Sequence, residues 1–274
     1  MYPRIFHALF HEPWLIDPIA HKALQSTLLS RLDSKDNLLD VQGDLRRPEH
    51  GKTVMTYYGP HTIKHYEMYG NGIAYIPVSG VLGKKLSMME SYCGGYDFLQ
   101  LSHAVSEAVK DDEVKSIVLD IDSPGGTVVG TKEAAALIAQ ANDQKPVYAF
   151  TETKAASAAY WITSQCRHIF TTPSAVLGSI GVYLALPKQK DEIELIKAGK
   201  YKAMGAKPLT ADERKILQKK VDAMHAEFKA VVKSTRAVDD SVLEGLTYSG
   251  EESIENGLAD SLVLSFDEVV ELLN

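Results

Sequence analysis

The sequence predicts an α/β chain built on a mainly parallel sheet from Gly72 onward. Two observations carry that reading. Short strand-like runs (residues 73–81, 116–121, 147–150, 168–171 and 179–186) alternate with helical patterns (97–110, 130–142 and 158–165), the signature of crossover units covering a sheet. The strongest run, Ser116-Ile117-Val118-Leu119-Asp120-Ile121, is nearly continuous in apolar residues, as a strand buried on both faces requires.

The elements follow in order. Asp17-Pro18 opens a helical pattern with apolar positions Ile19, Leu24, Leu28, Leu29 and Leu32, proline suiting the first turn of a helix. A polar stretch, residues 33–62, carries Gly43, Pro48, Gly51, Gly59 and Pro60 and reads as linker or arm. Residues 1–70 are thus expected to be an N-terminal helix and polar arm, and 71–274 the main domain. Within the domain, the 97–110 segment has an amphipathic period, 130–142 is Ala-rich and helical, and 158–165 is a short helix without early charge. Thr210-Ala211-Asp212-Glu213 is a capping box. It opens a charged helix to about Arg236, with one apolar stripe through Ile216, Leu217, Val221, Met224, Phe228 and Val231. A turn near Tyr248-Ser249-Gly250, a strand at 262–264 and a helix from Asp267 complete the pattern.

Composition narrows the function. The chain has 274 residues and a net charge of −7, which argues against broad binding to nucleic acid or to an anionic membrane, since both use Lys/Arg-rich faces. A local basic cluster spans 197–207. The two cysteines, Cys93 and Cys166, cannot form a disulfide framework and fit a reducing compartment. Each is expected to be a small core residue. No stretch has the apolar length to span a bilayer. The N-terminus lacks a basic region followed by an apolar one, so a cytoplasmic protein is expected.

Chemistry concentrates at Ser157, in the run Lys154-Ala155-Ala156-Ser157-Ala158-Ala159-Tyr160-Trp161. It stands at a strand-to-helix junction, where unpaired N–H groups favour developing negative charge. The commoner role of a serine there is a helix cap. Asp122-Ser123-Pro124-Gly125-Gly126 follows the strongest strand. It reads either as a Pro-Gly turn or as a loop whose N–H groups face one point, suited to an oxyanion hole. Neither GxxxxGK[ST] nor GxGxxG is present, so a nucleotide site is not expected. No His/Cys cluster has zinc spacing, and no metal or other cofactor is expected. No histidine sits in a motif that would make it the base. A lysine can replace it if its ordinary pKa of about 10.4 falls to roughly 7–8 through burial. Lys154 is near in sequence; the run Gly199-Lys200-Tyr201-Lys202-Ala203 is the better candidate.

Four motifs, Asp122 to Gly126, Ala155 to Trp161, Gly178-Ser179-Ile180-Gly181-Val182 and Gly199 to Lys202, occur in the order seen in signal peptide peptidase A and its relatives. The chain resembles that family of serine–lysine endopeptidases, of the Clp protease/crotonase-like fold, over about residues 70–265. The resemblance implies Ser157 as nucleophile, Lys202 as general base and Ser179 as the residue orienting the lysine amine. It implies an oxyanion hole from the Gly125-Gly126 loop and the Ala158 N–H. It also implies a protein or peptide substrate and a ring-like homo-oligomer, because in bacterial relatives serine and lysine can come from neighbouring subunits or tandem domains. Residues 8–18 are similar to the tailed-phage branch, the head-maturation or minor-capsid proteases. This implies capsid, scaffold or portal partners, no membrane anchor, and a setting in the host cytoplasm or a procapsid. Two features depart from the family pattern: Ala158-Ala159 replaces the usual Gly-Gly, and the segment between Gly181 and Lys202 is shorter, as if trimmed near 187–191. A cellular soluble peptidase, a non-catalytic capsid assembly component and a crotonase-type acyl-CoA enzyme are the alternative readings.

Overall fold

Eight strands form the sheet that the alternation predicts. The structure, a computed structural model, describes residues 13–16, 21–23, 26, 53–56, 59–62, 64–87, 90–91, 93–186 and 196–274. Of the expected N-terminal helix, residues 21–23 and 26 are described and helical. The rest of it, most of the polar stretch 33–62 and the trimmed segment at 187–191 lie outside the described residues.

In chain order the strands are β1 (Trp14–Ile16), β2 (Thr53–Thr56), β3 (Gly59–Thr62), β4 (Glu67–Tyr69), β5 (Ile73–Ser79), β6 (Val81–Gly83), β7 (Gly95–Asp97), β8 (Ser116–Ser123), β9 (Gly125–Thr127), β10 (Val147–Ala156), β11 (His168–Thr171), β12 (Val176–Gly178), β13 (Thr247–Ser249) and β14 (Ser261–Leu262). The helices are α1 (Phe98–Lys110), α2 (Thr131–Asn142), α3 (Ala158–Thr163), α4 (Ala211–Thr235), α5 (Gly250–Glu255) and α6 (Phe266–Leu273).

The large sheet runs β13-β12-β10-β8-β5-β4, with β11 beside β10 and β14 beside β11. Its inner pairs β5–β8, β8–β10, β10–β11 and β10–β12 are parallel; the outer pairs β4–β5 and β12–β13 are antiparallel. The α/β class and mainly parallel sheet are therefore as expected. Side chains of β8 alternate between two cores, since successive residues of a strand face opposite sides. Ile117, Leu119 and Ile121 join the main core with α1, α2 and α3. Val118 packs on the other side with Phe150, Phe170 and Val269, where α6 covers the sheet.

A second, four-stranded sheet, β1-β9-β6-β7, stands over the C-terminal ends of β5 and β8. The expected strand over 73–81 divides to make it. Gly80 turns at φ +100, and a side chain there would meet the Gly94 carbonyl at 2.2 Å. Beyond that turn β6 pairs with β7 and β9. The strand expected over 179–186 is displaced. The ladder runs over β12 instead and ends where Ser179 takes φ +53, and beyond it Tyr183 makes an isolated bridge to Trp14. The long charged helix and its capping box are as predicted: the Glu213 amide donates to the Thr210 hydroxyl, and the Glu213 carboxylate accepts from the Thr210 amide. Cys166 is a buried core residue whose thiol is pushed up to about 12 by burial, so it is inert at neutral pH. No helix among the described residues is long and apolar enough to cross a membrane.

Candidate active site

Strand β10 delivers Ser157. Its first half pairs with β11 and its last three residues with β12. Its register against β8 shifts between Phe150 and Lys154, an irregularity that re-aims the strand end. The chain then turns directly into α3. At that turn Ser157 adopts φ +56, ψ −119, a conformation that side-chain-bearing residues rarely hold. Its own N–H donates to the Gly178 carbonyl at 2.7 Å, and its carbonyl accepts from the Trp161 N–H at 2.9 Å.

The position is that of a helix N-cap, yet the Ser157 hydroxyl makes no capping hydrogen bond. The capping role is thereby excluded. Thr210, Ser249 and Ser265 show the contrast: each stands at an N-cap with an extended backbone and accepts a helix N–H. The strained turn frees the Ser157 hydroxyl, as a sharp strand-to-helix elbow does for a nucleophile. The residue is 1 % exposed, and no hydrogen bond of its hydroxyl occurs among the described residues.

The glycine loop stands against this turn. Gly125 has φ +103, and a side chain there would lie 3.0 Å from the Ala158 nitrogen and 3.0 Å from the Ala156 carbonyl oxygen. The Ala158 N–H, in the first turn of α3, has no intrahelical partner. It lies against the Gly125 turn. The Gly125 N–H is donated to the Ser123 hydroxyl at 3.2 Å, and that hydroxyl donates to the Gly80 carbonyl at 2.7 Å. Gly126 lies in β9 with its Cα against Leu82; a side chain there would meet the Leu82 carbonyl at 1.9 Å.

Ser179 is one residue past the Gly178 carbonyl that holds Ser157. Its N–H donates to the Leu246 carbonyl at 2.7 Å, so β12 and the approach to β13 fix its place. The following residue is tethered to α4: the His225 Nε2 lies 3.0 Å from the Ile180 carbonyl oxygen and 2.8 Å from that of Leu243. Lys202 stands apart. It lies in a turn, its side chain is exposed, and its N–H donates to the Gly199 carbonyl at 3.1 Å. No hydrogen bond joins it to Ser157 or Ser179 among the described residues. Lys154 is half-buried in β10 opposite Asp122 and Val176.

The structure thus brings Ser157, Ala158, Gly125, Gly126 and Ser179 to one place and leaves Lys202 at the surface. Three contributors escaped the sequence reading: Ser123, which shapes the loop; Gly178, which holds the Ser157 amide; and β1. Ser123 lies inside the quoted glycine motif and Gly178 opens the next, so both stood beside a signal. β1 lies inside the quoted run 8–18, but three apolar residues after a proline carry no periodicity that marks a strand.

Comparison with known proteins bears on the same segments. Residues 139–274 match the model of peptidase family S49. The capsid assembly protease C of Escherichia phage lambda is 32% identical over 97% of this chain and 64% of its own length. The head-tail preconnector protein GP5 of Enterobacteria phage P21 is 32% identical over 97% of this chain and 56% of its own length. The chain therefore spans less than two thirds of these relatives. Among solved structures, an enoyl-CoA hydratase/isomerase family member superposes with a TM-score of 0.42 at 18% identity, over 75% of this chain and 72% of that one.

Proposed function

We propose that the chain is a serine endopeptidase with Ser157 as nucleophile, a reading supported by the match of residues 139–274 to the model of peptidase family S49. One observation carries the reading: a buried serine at a helix start, held at φ +56 and released from capping, with the Ala158 amide and the Gly125 turn against it. Peptide attack by the Ser157 Oγ would place negative charge on the carbonyl oxygen beside the Ala158 N–H and the glycine loop. The proton would pass to a neutral lysine and then to the leaving amine, and water would release the acyl-enzyme by the same route.

Lys202 is our candidate base, with Ser179 orienting its amine. The exposure of Lys202, and the lack of a hydrogen bond from it to Ser157, favour delivery by a neighbouring copy in a ring. A covered site would also supply the desolvation that an ammonium needs to give up its proton near neutral pH. Residues 71–274 would form the peptidase domain and 1–70 its N-terminal arm. The relatives named for capsid assembly and for the head-tail preconnector support protein substrates in a virus head, with action in the host cytoplasm or a procapsid. No metal or cofactor enters the scheme.

The test is a fluorophosphonate serine probe together with cleavage of labelled casein. The full chain should react at Ser157 and cut casein. Ser157→Ala should lower turnover by at least about a thousandfold with an unchanged circular dichroism spectrum. Labelling at another serine, with turnover surviving in Ser157→Ala, would refute the assignment.

A further inference from the structure

Strand β1 lies where a peptide would have to bind. A peptide cut at Ser157 by strand pairing needs an open backbone edge beside the glycine loop. Each strand that meets Ser157 has both edges taken. β10 is paired by β8 and by β11 and β12; β12 by β10 and β13; β9 by β6 and β1. Of these partners β1 alone comes from outside the region after Gly72. It is also the one strand of its sheet that pairs antiparallel.

Its placement is close. Trp14, Leu15 and Ile16 face Thr127, Gly126 and Gly125 in register. A side chain on Gly125 would meet the Leu15 carbonyl oxygen at 2.2 Å and the Ala158 nitrogen at 3.0 Å, so β1 passes the mouth of the suggested oxyanion hole. On its other side the Trp14 N–H donates to the Tyr183 carbonyl at 2.8 Å, and the Tyr183 N–H donates to the Trp14 carbonyl at 3.2 Å. β1 therefore fills a slot between two chain segments, paired by backbone to both. Trp14 and Leu15 are fully buried there. The Trp14 ring is 5.0 Å from that of His21, which is 5.4 Å from that of Tyr183.

We propose that β1 is an intramolecular occupant of the peptide-binding groove, and that the chain in this form cuts substrate at least tenfold more slowly than the chain with the strand released. The proposal rests on the peptidase reading of Ser157 for the identity of the groove. The occupancy itself can be tested with the nucleophile removed.

Trp14 and Thr127 are Cα partners across an antiparallel pair, a spacing of about 4.5–5.5 Å that a disulfide tolerates. The full chain with Trp14→Cys and Thr127→Cys, in a Cys93→Ser background, allows β1 to be locked by oxidation and freed by reduction. The probe is a fluorescent peptide of this chain's residues 11–18, read by anisotropy on the Ser157→Ala form. Reduction should tighten its binding at least tenfold, and in the Ser157-intact form casein cleavage should rise by a similar factor. Equal peptide binding in both states would overturn the proposal, making β1 a fixed wall. Binding that rises on reduction while the Ser157-intact chain ignores both casein and fluorophosphonate would uphold the occupancy and sink the peptidase reading. Leu15→Asp, which loosens β1 without a crosslink, gives a second arm: it should bind the peptide at least tenfold better than wild type, with unchanged secondary structure, and no gain would count against the proposal.

Discussion

Ser157 holds a backbone conformation that costs on the order of 1–3 kcal/mol for a residue with a side chain. Glycine accepts it freely, at some cost in unfolded-state entropy. Ser157→Gly should therefore be more stable than Ser157→Ala by about 1 kcal/mol in urea unfolding, while neither cuts substrate. If the two unfolded at the same denaturant concentration, the strain would not be real. The same backbone angle marks the limit of sequence reading at this scale. A serine between a strand and a helix pattern is visible in the letters, and so is the twin glycine that must face it. Whether that serine caps its helix goes with one backbone conformation, seen only in the fold, where the Ser157 N–H donates to the Gly178 carbonyl.

Helix α3 is six residues long and buried throughout, too short to be stable alone. It is held from outside. Trp161 stacks on Phe228 of α4 with ring centroids 4.5 Å apart and planes within 13°, and the Tyr160 hydroxyl donates to the Leu258 carbonyl at 2.8 Å. Phe228→Ala should cost about 3–5 kcal/mol of stability. It should also slow Ser157 labelling by fluorophosphonate in the fraction that remains folded, because the turn loses its backing. Labelling at the wild-type rate would separate α4 from the site. Long elements such as α4 and β8 were legible because periodicity accumulates over many residues. The loop after β12 was not: its apolar letters suit a strand, but the turn at Ser179 and the His225 contacts hold Ile180 and its neighbours out of the ladder.

At the scale of the whole molecule, the proposed ring takes the lysine of each site from a neighbouring copy. Ser157→Ala and Lys202→Ala chains should each be inactive alone. Mixed under conditions that exchange subunits, they should regain about a quarter of wild-type turnover if each site is shared across a head-to-tail interface. A mixture that stays inactive would place serine and lysine in the same chain. Motif order nominated Ser157, Ser179 and Lys202, since four short signatures in sequence constrain each other. Motif order does not carry their spatial arrangement, which on the proposed reading comes from contacts between copies.

The two-partner ladder of β10 has a consequence for the timing of synthesis. Ala156, next to Ser157, pairs with β12; β12 is paired by β13, and the residue after it, Ser179, donates to the Leu246 carbonyl, both partners lying roughly seventy residues further along the chain. A nascent polypeptide still lacking that stretch has the serine but not its elbow. On the proposed serine-peptidase reading, cleavage would therefore await the pairing of β12 with β13.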